Sequence, residues 1–395
     1  MMMTSKMSSS SSSSSSSPDD VFYELRLKKI VTPEGHSHSV VCMTFSADGT
    51  KVASGSYDGT VKVWDVYSGR CLQTLDYYDC NNVTSVAFSP DGTKVAFGVH
   101  PTYPEDEWES EGFFHDDYPL SLADVTSGAC LQILHGHSEE ARCLSFSPDG
   151  TKLASGSDDE TVKLWDVASG HCLQTLEGHT HWVRCVSFSP DGSKIASGSG
   201  SSDFSEVKLW DLSSGNCLHT LDKHSFFVTC VSFSPDGTKI VSGAYGYQRR
   251  GEAMLWDVAT GECLLTLEGH SCGVSAVSFS PDGTKILSGM YANKAKLWDV
   301  ASGSCLQVFK SKLPLWTVSF SPRGMKVLGL SRIDKEGTYT FTIWEDTRHR
   351  EMKVTMLCLR RANRRRRDRS GEPLPSEAGR KLYNPDILRK LWQFL

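Results

Sequence analysis

A five-residue turn, Phe-Ser-x-x-Gly, recurs seven times along the 395-residue chain and constrains its fold more than any other feature. The steps between successive copies are 43, 58, 42, 45, 46 and 41 residues, and the repeated phenylalanines are Phe45, Phe88, Phe146, Phe188, Phe233, Phe279 and Phe320. Such a period indicates an array of similar units, because one unit of this size cannot bury an apolar surface alone. The chain is therefore predicted to stack seven related units.

Each unit carries two further markers in register with the turn. A motif close to Val-Lys-Leu-Trp-Asp follows the turn, at Trp64-Asp65, Trp165-Asp166, Trp210-Asp211, Trp256-Asp257 and Trp298-Asp299, with Leu122-Ala123-Asp124 and Trp344-Glu345 as weaker members. A histidine precedes the phenylalanine by nine residues in five units, at His36, His137, His179, His224 and His270. Between the markers, apolar residues alternate in short runs bounded by Pro-Asp-Gly and Ala-Ser-Gly turns, which predicts four antiparallel strands per unit.

With these markers the chain resembles the WD40 repeat family from about residue 22 to 347. The resemblance implies an all-β fold, a seven-bladed WD40 β-propeller in which each unit is one blade and ring closure protects most strand edges. We predict a disordered Ser-rich leader at 1-20, the propeller at 21-347 and a basic, partly helical tail at 348-395, ending in an amphipathic helix.

Closure of the ring needs a fourth strand for the last blade, and two segments compete for that place. Residues 23–31 precede the first Gly-His pair as other fourth strands precede theirs, and residues 352–359 follow Trp344 in register. We choose the N-terminal segment, because that closure is usual in the family that the chain resembles.

The resemblance also implies a hydrogen-bonded set inside each blade, made of the histidine, a serine, an aspartate and the tryptophan. Two blades match it fully, with His36, Ser54, Asp58 and Trp64 in blade one and His137, Ser155, Asp159 and Trp165 in blade three. Blade four keeps the set with Asp203 displaced by a longer turn, and blade six has Ala292 where the aspartate is expected. Blades two and seven lack the histidine and serine, and Leu122 replaces the tryptophan of blade two. We expect these two blades to be the least stable.

The chain carries few signs of chemistry beyond this scaffold. Ten of the thirteen cysteines fall at two repeated registers, which predicts packing roles, and no Cys-x-x-Cys pair is present. The sequence contains no Gly-rich phosphate loop, no His-Glu-x-x-His and no nucleophile elbow. We therefore predict no catalytic residue, no metal and no cofactor. No apolar run is long enough to span a bilayer, so we expect a cytoplasmic or nuclear protein, or one present in both places.

Function is expected where the copies differ, and the insertions fall in loops that share the top rim in the geometry that the resemblance implies. The longest insertion, residues 100–119 of blade two, mixes acids with Trp108, Phe113 and Phe114. Aromatic residues are common interface anchors, and the acids suit a basic protein partner. The alternative is that these aromatic residues fold back over blade two and replace its missing tryptophan.

Other candidate contacts lie nearby on the same rim. Trp182, Phe226 and Phe227 follow the histidines of blades four and five, where other units have small or polar residues. The alternative for them is packing onto the next blade. Arg249 and Arg250 bring positive charge to the blade-five loop, where they form either a partner contact or a solvated loop.

The tail differs from the rest of the chain in charge. From Lys353 onward there are 12 basic and 4 acidic residues, against 29 and 43 before it. The arginine run at 360–367 is typical of a nuclear import signal, a nucleic-acid contact, a segment that pairs with the acidic ring of the same chain, or a solvated segment. No aromatic residues interleave with it, which argues against sequence-specific nucleic-acid binding.

Three functions compete on these observations. The first is a non-catalytic protein-protein interaction scaffold that presents the top rim. The second is the substrate-recognition subunit of a ubiquitin ligase, because the tail has a faint similarity to a SOCS box or to the start of an F-box. The third, an enzyme with a site assembled across blades, lacks any motif in its favour.

Overall fold

A computed structural model describes residues 22–26, 35–38, 40–66, 68–76, 80–101, 118–201, 204–245, 251–311, 315–320, 326–333 and 338–346. The chain divides into two compact units, Glu24–Glu345 on the one hand and Met1–Tyr23 with Asp346–Leu395 on the other. The predicted leader, tail and terminal helix lie outside the described residues. Within the described ranges, no helix is long and apolar enough to cross a lipid bilayer.

The described residues form strands joined by turns. In chain order the strands are β1 Phe22–Arg26, β2 Val40–Phe45, β3 Lys51–Ser56, β4 Val61–Asp65, β5 Cys71–Leu75, β6 Cys80–Phe88, β7 Lys94–Pro101, β8 Leu120–Asp124, β9 Cys130–Leu134, β10 Ala141–Phe146, β11 Lys152–Ser157, β12 Val162–Asp166, β13 Cys172–Leu176, β14 Val183–Phe188, β15 Lys194–Gly200, β16 Ser205–Asp211, β17 Cys217–Leu221, β18 Phe227–Phe233, β19 Lys239–Tyr245, β20 Gly251–Asp257, β21 Cys263–Thr266, β22 Val274–Phe279, β23 Lys285–Met290, β24 Lys294–Asp299, β25 Cys305–Lys310, β26 Leu315–Phe320, β27 Lys326–Ile333 and β28 Thr338–Asp346.

These strands form four-stranded sheets, each corresponding to one sequence repeat. Sheets 1 to 6 are built from consecutive strands, β2 to β5, β6 to β9, β10 to β13, β14 to β17, β18 to β21 and β22 to β25. In sheet 7 the order is β1-β28-β27-β26, so the N-terminal strand is the outermost one. This pairing agrees with the choice of the N-terminal segment as the fourth strand of the last repeat. The competing segment, 352–359, lies outside the described residues.

The repeated turn is stabilised by its own side chains. In sheet 1 the Ser46 hydroxyl donates to Asp48 Oδ1 at 2.6 Å and accepts the Lys51 N–H at 2.9 Å. Asp48 Oδ1 also accepts the Thr50 N–H at 2.9 Å, and Gly49 adopts a φ of 67°. Serine, aspartate and glycine are therefore repeated because each supplies a different part of the turn.

Neighbouring sheets are joined through their innermost strands. Thr84 Oγ1 in β6 donates to the Ala141 carbonyl in β10 at 2.7 Å, Thr229 Oγ1 in β18 to Val274 O at 2.6 Å, and Ser275 Oγ in β22 to Leu315 O at 3.0 Å. The buried thiols at the next register position are poor acids, and burial raises the pKa of Cys42 to about 12. The Cys42 and Cys143 sulfurs lie 3.8 and 3.7 Å from carbonyl oxygens of the next sheet, which assigns this cysteine register to packing between sheets.

The apolar core lies between adjacent sheets. One cluster joins Leu120, Leu122 and Leu134 of sheet 2 to Leu153 and Trp165 of sheet 3. All five side chains are almost completely buried. Four tryptophans therefore pack against the preceding sheet as well as within their own, namely Trp165, Trp210, Trp256 and Trp298.

Sheet 2 corrects one sequence prediction. Trp64 lies opposite Val52, and the residue at the same position in sheet 2 is Ala123, opposite Val95. The tryptophan is thus replaced by Ala123 and not by Leu122. Phe97, which is 1% exposed, occupies the position of the strand serine and packs in the same core cluster as Ala123, so a large ring compensates for the small residue at the tryptophan position.

Candidate protein-binding rim

Each of five sheets carries a hydrogen-bonded set at the end where its first and second strands meet the adjoining loops. In sheet 1, Trp64 Nε1 donates to Ser54 Oγ at 2.8 Å, and that oxygen lies 2.8 Å from His36 Nε2. His36 Nδ1 lies 3.0 Å from Asp58 Oδ2. Since a carboxylate only accepts, Nδ1 carries the proton and donates to Asp58. The four predicted residues therefore form one continuous chain of hydrogen bonds.

Sheet 3 repeats this geometry with shorter contacts. His137 lies 2.6 Å from both Ser155 Oγ and Asp159 Oδ2, and Trp165 Nε1 donates to Ser155 at 2.8 Å. Burial would raise the pKa of Asp159, but hydrogen bonds from His137 and Thr161 lower it to about 2. The carboxylate is therefore ionised over the physiological range and holds the imidazole in place.

In sheets 4 and 5 the acid comes from a different element than expected. The carboxylate that contacts His179 Nδ1, at 2.6 Å, belongs to Glu206 in β16. In sheet 5, Glu252 in β20 lies 3.4 Å from His224 Nδ1. This contact comes from the third strand, whereas the sequence pointed to Asp203 in the preceding turn, whose own part stays a prediction. Asp203 itself lies outside the described residues.

Sheet 6 lacks the acid, as its sequence indicates. His270 Nδ1 donates to the Leu267 carbonyl at 3.0 Å, and its Nε2 lies 2.8 Å from Ser288 Oγ. Burial, together with the nearby Lys296 ammonium, lowers the pKa of His270 to about 4. The imidazole is therefore neutral near pH 7.

The acid of the set also joins two loops of the rim. Asp58, in the loop after the second strand, accepts the backbone N–H of Ser37, in the loop before the first strand, at 2.8 Å. Glu252 accepts the Ser225 N–H at 3.0 Å in the same way. The set is thus a structural device that fixes the rim loops, which gives exposed side chains there a rigid base.

A row of aromatic and arginine side chains crosses this rim from sheet 3 to sheet 6, and we call it the aromatic–arginine row. Its members are Arg142, Trp182, Arg184, Phe227, Tyr245 and Tyr291. The Arg184 guanidinium carbon lies 5.3 Å from the Trp182 ring centroid and 4.7 Å from that of Phe227. Trp182 is 49% exposed and Tyr291 is 42% exposed. The row is therefore accessible to a partner.

The two arginines of the row differ in their pairing. Arg142 Nε donates to Asp158 Oδ2 at 2.9 Å, and its Nη1 lies 2.7 Å from Glu140 Oε2. Arg184 forms no hydrogen bond or ion pair with the described residues, and its Nε is buried without a partner. Burial lowers the pKa of the Arg184 guanidinium, although it remains charged. Arg184 therefore carries a charge that no nearby acid neutralises by contact.

The far end of the row is tightly packed. Phe227 and Tyr245 are cross-strand partners with ring centroids 5.3 Å apart, and Tyr291 contacts Tyr245 edge to face, also at 5.3 Å. The Tyr245 ring lies so close to Gly273 that a β-carbon there would be 1.7 Å from it. The absence of a side chain at Gly273 therefore leaves the space that the Tyr245 ring occupies.

The predicted contacts are only partly brought together. Trp182 and Phe227 belong to the row, and Phe226 is half-buried beside it. Trp108, Phe113, Phe114, Arg249 and Arg250 lie outside the described residues, so their roles stay predictions. Sequence reasoning missed Arg142 and Arg184. Both occupy the position that holds Thr84, Thr229 and Ser275 in other repeats, so this divergence was visible in the sequence.

The row borders a central cavity of about 370 Å³. Arg142 and Tyr291 line it together with residues of the innermost strands, including Val41, Thr84 and Thr229. No group of three or more histidine, cysteine or acidic side chains among the described residues is placed to hold a metal ion.

Comparison with known families gives repeated matches along the chain. The profile described as WD domain, G-beta repeat matches residues 27–65, 69–98, 128–166, 170–211, 215–257 and 261–299. These ranges cover more than half of the chain, and five of them begin before the fourth strand of one sheet and end in the next sheet.

Individual relatives match over shorter stretches. WD repeat-containing protein SL1-17 of Schistosoma mansoni is 34% identical over 160 residues, which is 34% of this chain and 52% of that protein. Periodic tryptophan protein 2 of Saccharomyces cerevisiae is 26% identical over 156 residues, which is 32% of this chain and 17% of that protein. WD repeat-containing protein 18 of Homo sapiens is 45% identical over 42 residues, covering 11% of this chain and 10% of that protein. The chain thus spans about half or less of the length of these relatives.

Proposed function

Because the chain belongs to the WD40 repeat family, we propose that it is a non-catalytic scaffold that presents the rim of a seven-bladed propeller to protein partners. Proteins with WD repeats generally act as platforms for protein interactions. The seven sheets and the pairing of β1 with β28 support a ring of seven blades. We further propose that this ring corresponds to residues 21-347, with the leader and the basic tail outside it.

The observation that carries this proposal is the exposure of Trp182 beside two arginines. Its side chain is 49% exposed, and the Arg142 and Arg184 guanidinium carbons lie 6.0 and 5.3 Å from its ring centroid. Tryptophan and arginine are the residue types most enriched at the energetic centres of protein interfaces. A rigid scaffold that exposes both in one place favours partner binding there.

A quantitative pull-down from cells tests the proposal. The baits are the full chain, Trp182→Ala and the control Leu173→Ala, which removes a 51% exposed apolar side chain from the outermost strand β13. We expect at least one partner protein to be lost with Trp182→Ala and retained with Leu173→Ala. Identical partner sets for all three baits would contradict a role for the rim.

The blade-two insertion is proposed as a second contact that selects basic partners. Its acids and aromatic residues support this, since such a segment attracts positive charge and supplies contact area. A bait that lacks residues 103 to 118 should lose basic partners first. Unchanged recovery of basic partners would leave the patching role as the explanation of the insertion.

Recruitment of a ubiquitin ligase through the tail is the alternative function. It predicts that a chain ending at Arg350 loses ligase subunits while client proteins are still recovered on the rim. Retention of every partner by that shorter chain would remove the alternative. The same comparison, made with nuclear and cytoplasmic fractions, tests the proposed locations and the import role of the arginine run.

A further inference from the structure

We infer that Arg184 recognises a carboxylate in an acidic segment of a partner protein, while an apolar side chain of the same segment packs on Trp182. This inference rests on the proposed function and specifies the chemistry of its ligand. It assigns a charge-recognising role to Arg184, at the centre of the aromatic–arginine row.

The geometry around Arg184 favours an anion over a cation. The rings of Trp182 and Phe227 lie 5.3 and 4.7 Å from its guanidinium carbon, so the aromatic faces that would attract a positively charged ligand already hold this side chain. The guanidinium edge carries five N–H donors and no acceptor. A carboxylate matches that edge with two parallel hydrogen bonds.

The charges nearby make Arg184 the available cation. Glu140 and Asp158 both contact Arg142, and Asp158 and Glu140 are themselves mostly buried, with side chains 9% and 17% exposed. Among the described residues no acid lies within ion-pair distance of Arg184, and the nitrogen Nε is buried without an acceptor. An incoming carboxylate therefore reaches Arg184 through Nη1 and Nη2, which are not buried, and it displaces no existing acid.

The repeat register shows that Arg184 departs from the hydrogen bond that usually joins neighbouring sheets. At the equivalent position Thr84, Thr229 and Ser275 donate to a carbonyl of the next sheet. The long Arg184 side chain does not make this hydrogen bond and extends to the rings of Trp182 and Phe227 instead. A hydroxyl group is sufficient for the hydrogen bond between sheets. We therefore assign the arginine to a contact with a partner.

The site is held in one arrangement before a ligand arrives. Phe227 is fixed by its cross-strand neighbour Tyr245, whose ring lies against Gly273. Stacking of Arg184 between two rings restricts its rotamers, and binding then costs less conformational entropy. Trp182 remains 49% exposed and supplies the apolar surface next to the charge.

The test is a selection of short random displayed peptides on the full chain. Parallel selections use Arg184→Gln, which keeps the size and removes the charge, and Arg70→Gln, which removes an exposed arginine from the loop between β4 and β5. Enriched peptides are then labelled with fluorescein and titrated by anisotropy. Each acidic peptide is compared with a copy in which Asp and Glu are replaced by Asn and Gln. Thermal melting checks that every variant is folded.

The expected result is enrichment of peptides with an acid beside an aromatic or aliphatic residue. The amide copies should bind the unmodified chain about 10- to 100-fold more weakly, as expected for a lost charged hydrogen bond. This difference should disappear in Arg184→Gln and persist in Arg70→Gln. Arg184→Lys, which keeps the charge without the bidentate edge, should retain part of it.

Three results would overturn the inference. They are enriched peptides without an excess of acids, acidic peptides that bind Arg184→Gln as tightly as the unmodified chain, and phosphoserine peptides that bind where glutamate peptides do not. Peptides selected on the rim without any acid preference would leave the proposed scaffold function intact. Loss of at least one partner with Trp182→Ala in the pull-down is the separate result that the scaffold function requires.

Discussion

The Glu206 carboxylate lies 2.6 Å from His179 Nδ1, although Glu206 belongs to strand β16 and not to the preceding turn. Glu206 is 3% exposed and also contacts the Lys208 ammonium at 3.0 Å. Burial would raise the pKa of Glu206, but the hydrogen bonds from His179 and Lys208 lower it. A longer side chain from the strand thus replaces the aspartate of the shorter turns.

Glu206→Gln should lower the free energy of unfolding by about 1–3 kcal/mol, because it removes a charged partner from a buried histidine and a lysine. The measurement is urea unfolding near pH 7. The control, Glu268→Gln, changes an exposed glutamate and should have an effect within about 0.5 kcal/mol. Equal midpoints for the two variants would contradict the role assigned to Glu206.

Acid sensitivity should depend on His270. Its pKa is about 4 in the folded protein, below the ordinary value of 6.5, so the unfolded chain takes up this proton first as the pH falls. The stabilisation is present above pH 6.5 and is lost as the pH falls from 6.5 to about 4, by about 3 kcal/mol in total from the relation of about 1.4 kcal/mol per pKa unit.

Ala292→Asp should flatten that pH dependence, because it places a carboxylate at the position where sheets 1 and 3 pair their histidine with Asp58 and Asp159. Urea unfolding at several pH values between about 4 and 7 measures it, with Ala292→Asn as the uncharged control. If Ala292→Asp and Ala292→Asn lose stability in parallel with the unmodified chain, the assignment to His270 is wrong. Stability that is lost below about pH 4 has a separate cause, the protonation of acids such as Asp159, whose pKa is about 2.

Trp165→Ala should destabilise the protein by about 3–5 kcal/mol, since it empties a buried site and removes the bond to Ser155. Trp182→Ala, in contrast, removes a side chain that is 49% exposed and should change stability by less than about 1 kcal/mol. Thermal or urea unfolding compares them. Similar losses for both would mean that Trp182 is part of the core and not a contact for partners.

Most of the scaffold was predictable because it is repeated. The turn, the strand alternation and the His-Ser-Trp positions recur in register, so each repeat supports the interpretation of the others. The acids Glu206 and Glu252 were not predictable, since their side chains reach the histidine from a strand whose offset depends on the length of the intervening loop. The sequence also did not show that Arg184 lacks an acidic partner, because whether an arginine contacts an acid depends on side chains from neighbouring sheets.

In sheet 2 the sequence motif alone does not fix which residue replaces the tryptophan, because that position depends on the pairing with the neighbouring strand. The sequence Leu122-Ala123-Asp124 leaves the position of the missing tryptophan ambiguous by one residue, and a shift of one residue moves a side chain to the opposite face. Pairing with β7 resolves it in favour of Ala123. Ser121 Oγ is fully buried here without a partner among the described residues, which fits the expectation, still a prediction, that this repeat is less stable.

Phe97 and Ala123 should therefore be energetically coupled. Phe97→Ser alone leaves a cavity and should cost about 3–5 kcal/mol, and Ala123→Trp alone overpacks the site at about 1–3 kcal/mol or more. The double variant restores the pair found in the other sheets and should cost less than the sum. Unfolding of all four proteins gives the coupling energy, and strict additivity would show that the two residues do not share one space.

Packing between sheets should depend on glycines in the second strands. A β-carbon on Gly156 would lie 2.5 Å from Val183 Cγ1 in sheet 4 and 2.7 Å from the Cys143 sulfur. Gly156→Ala should therefore destabilise the protein by about 1–3 kcal/mol, although alanine suits a strand at least as well as glycine.

Val183→Ala tests whether a clash with Val183 causes this loss of stability, because it removes the methyl groups nearest to the added β-carbon. In the Val183→Ala background, Gly156→Ala should cost less than it does alone, by an amount that a double-mutant cycle of urea unfolding measures. An equal cost in both backgrounds would place the strain elsewhere.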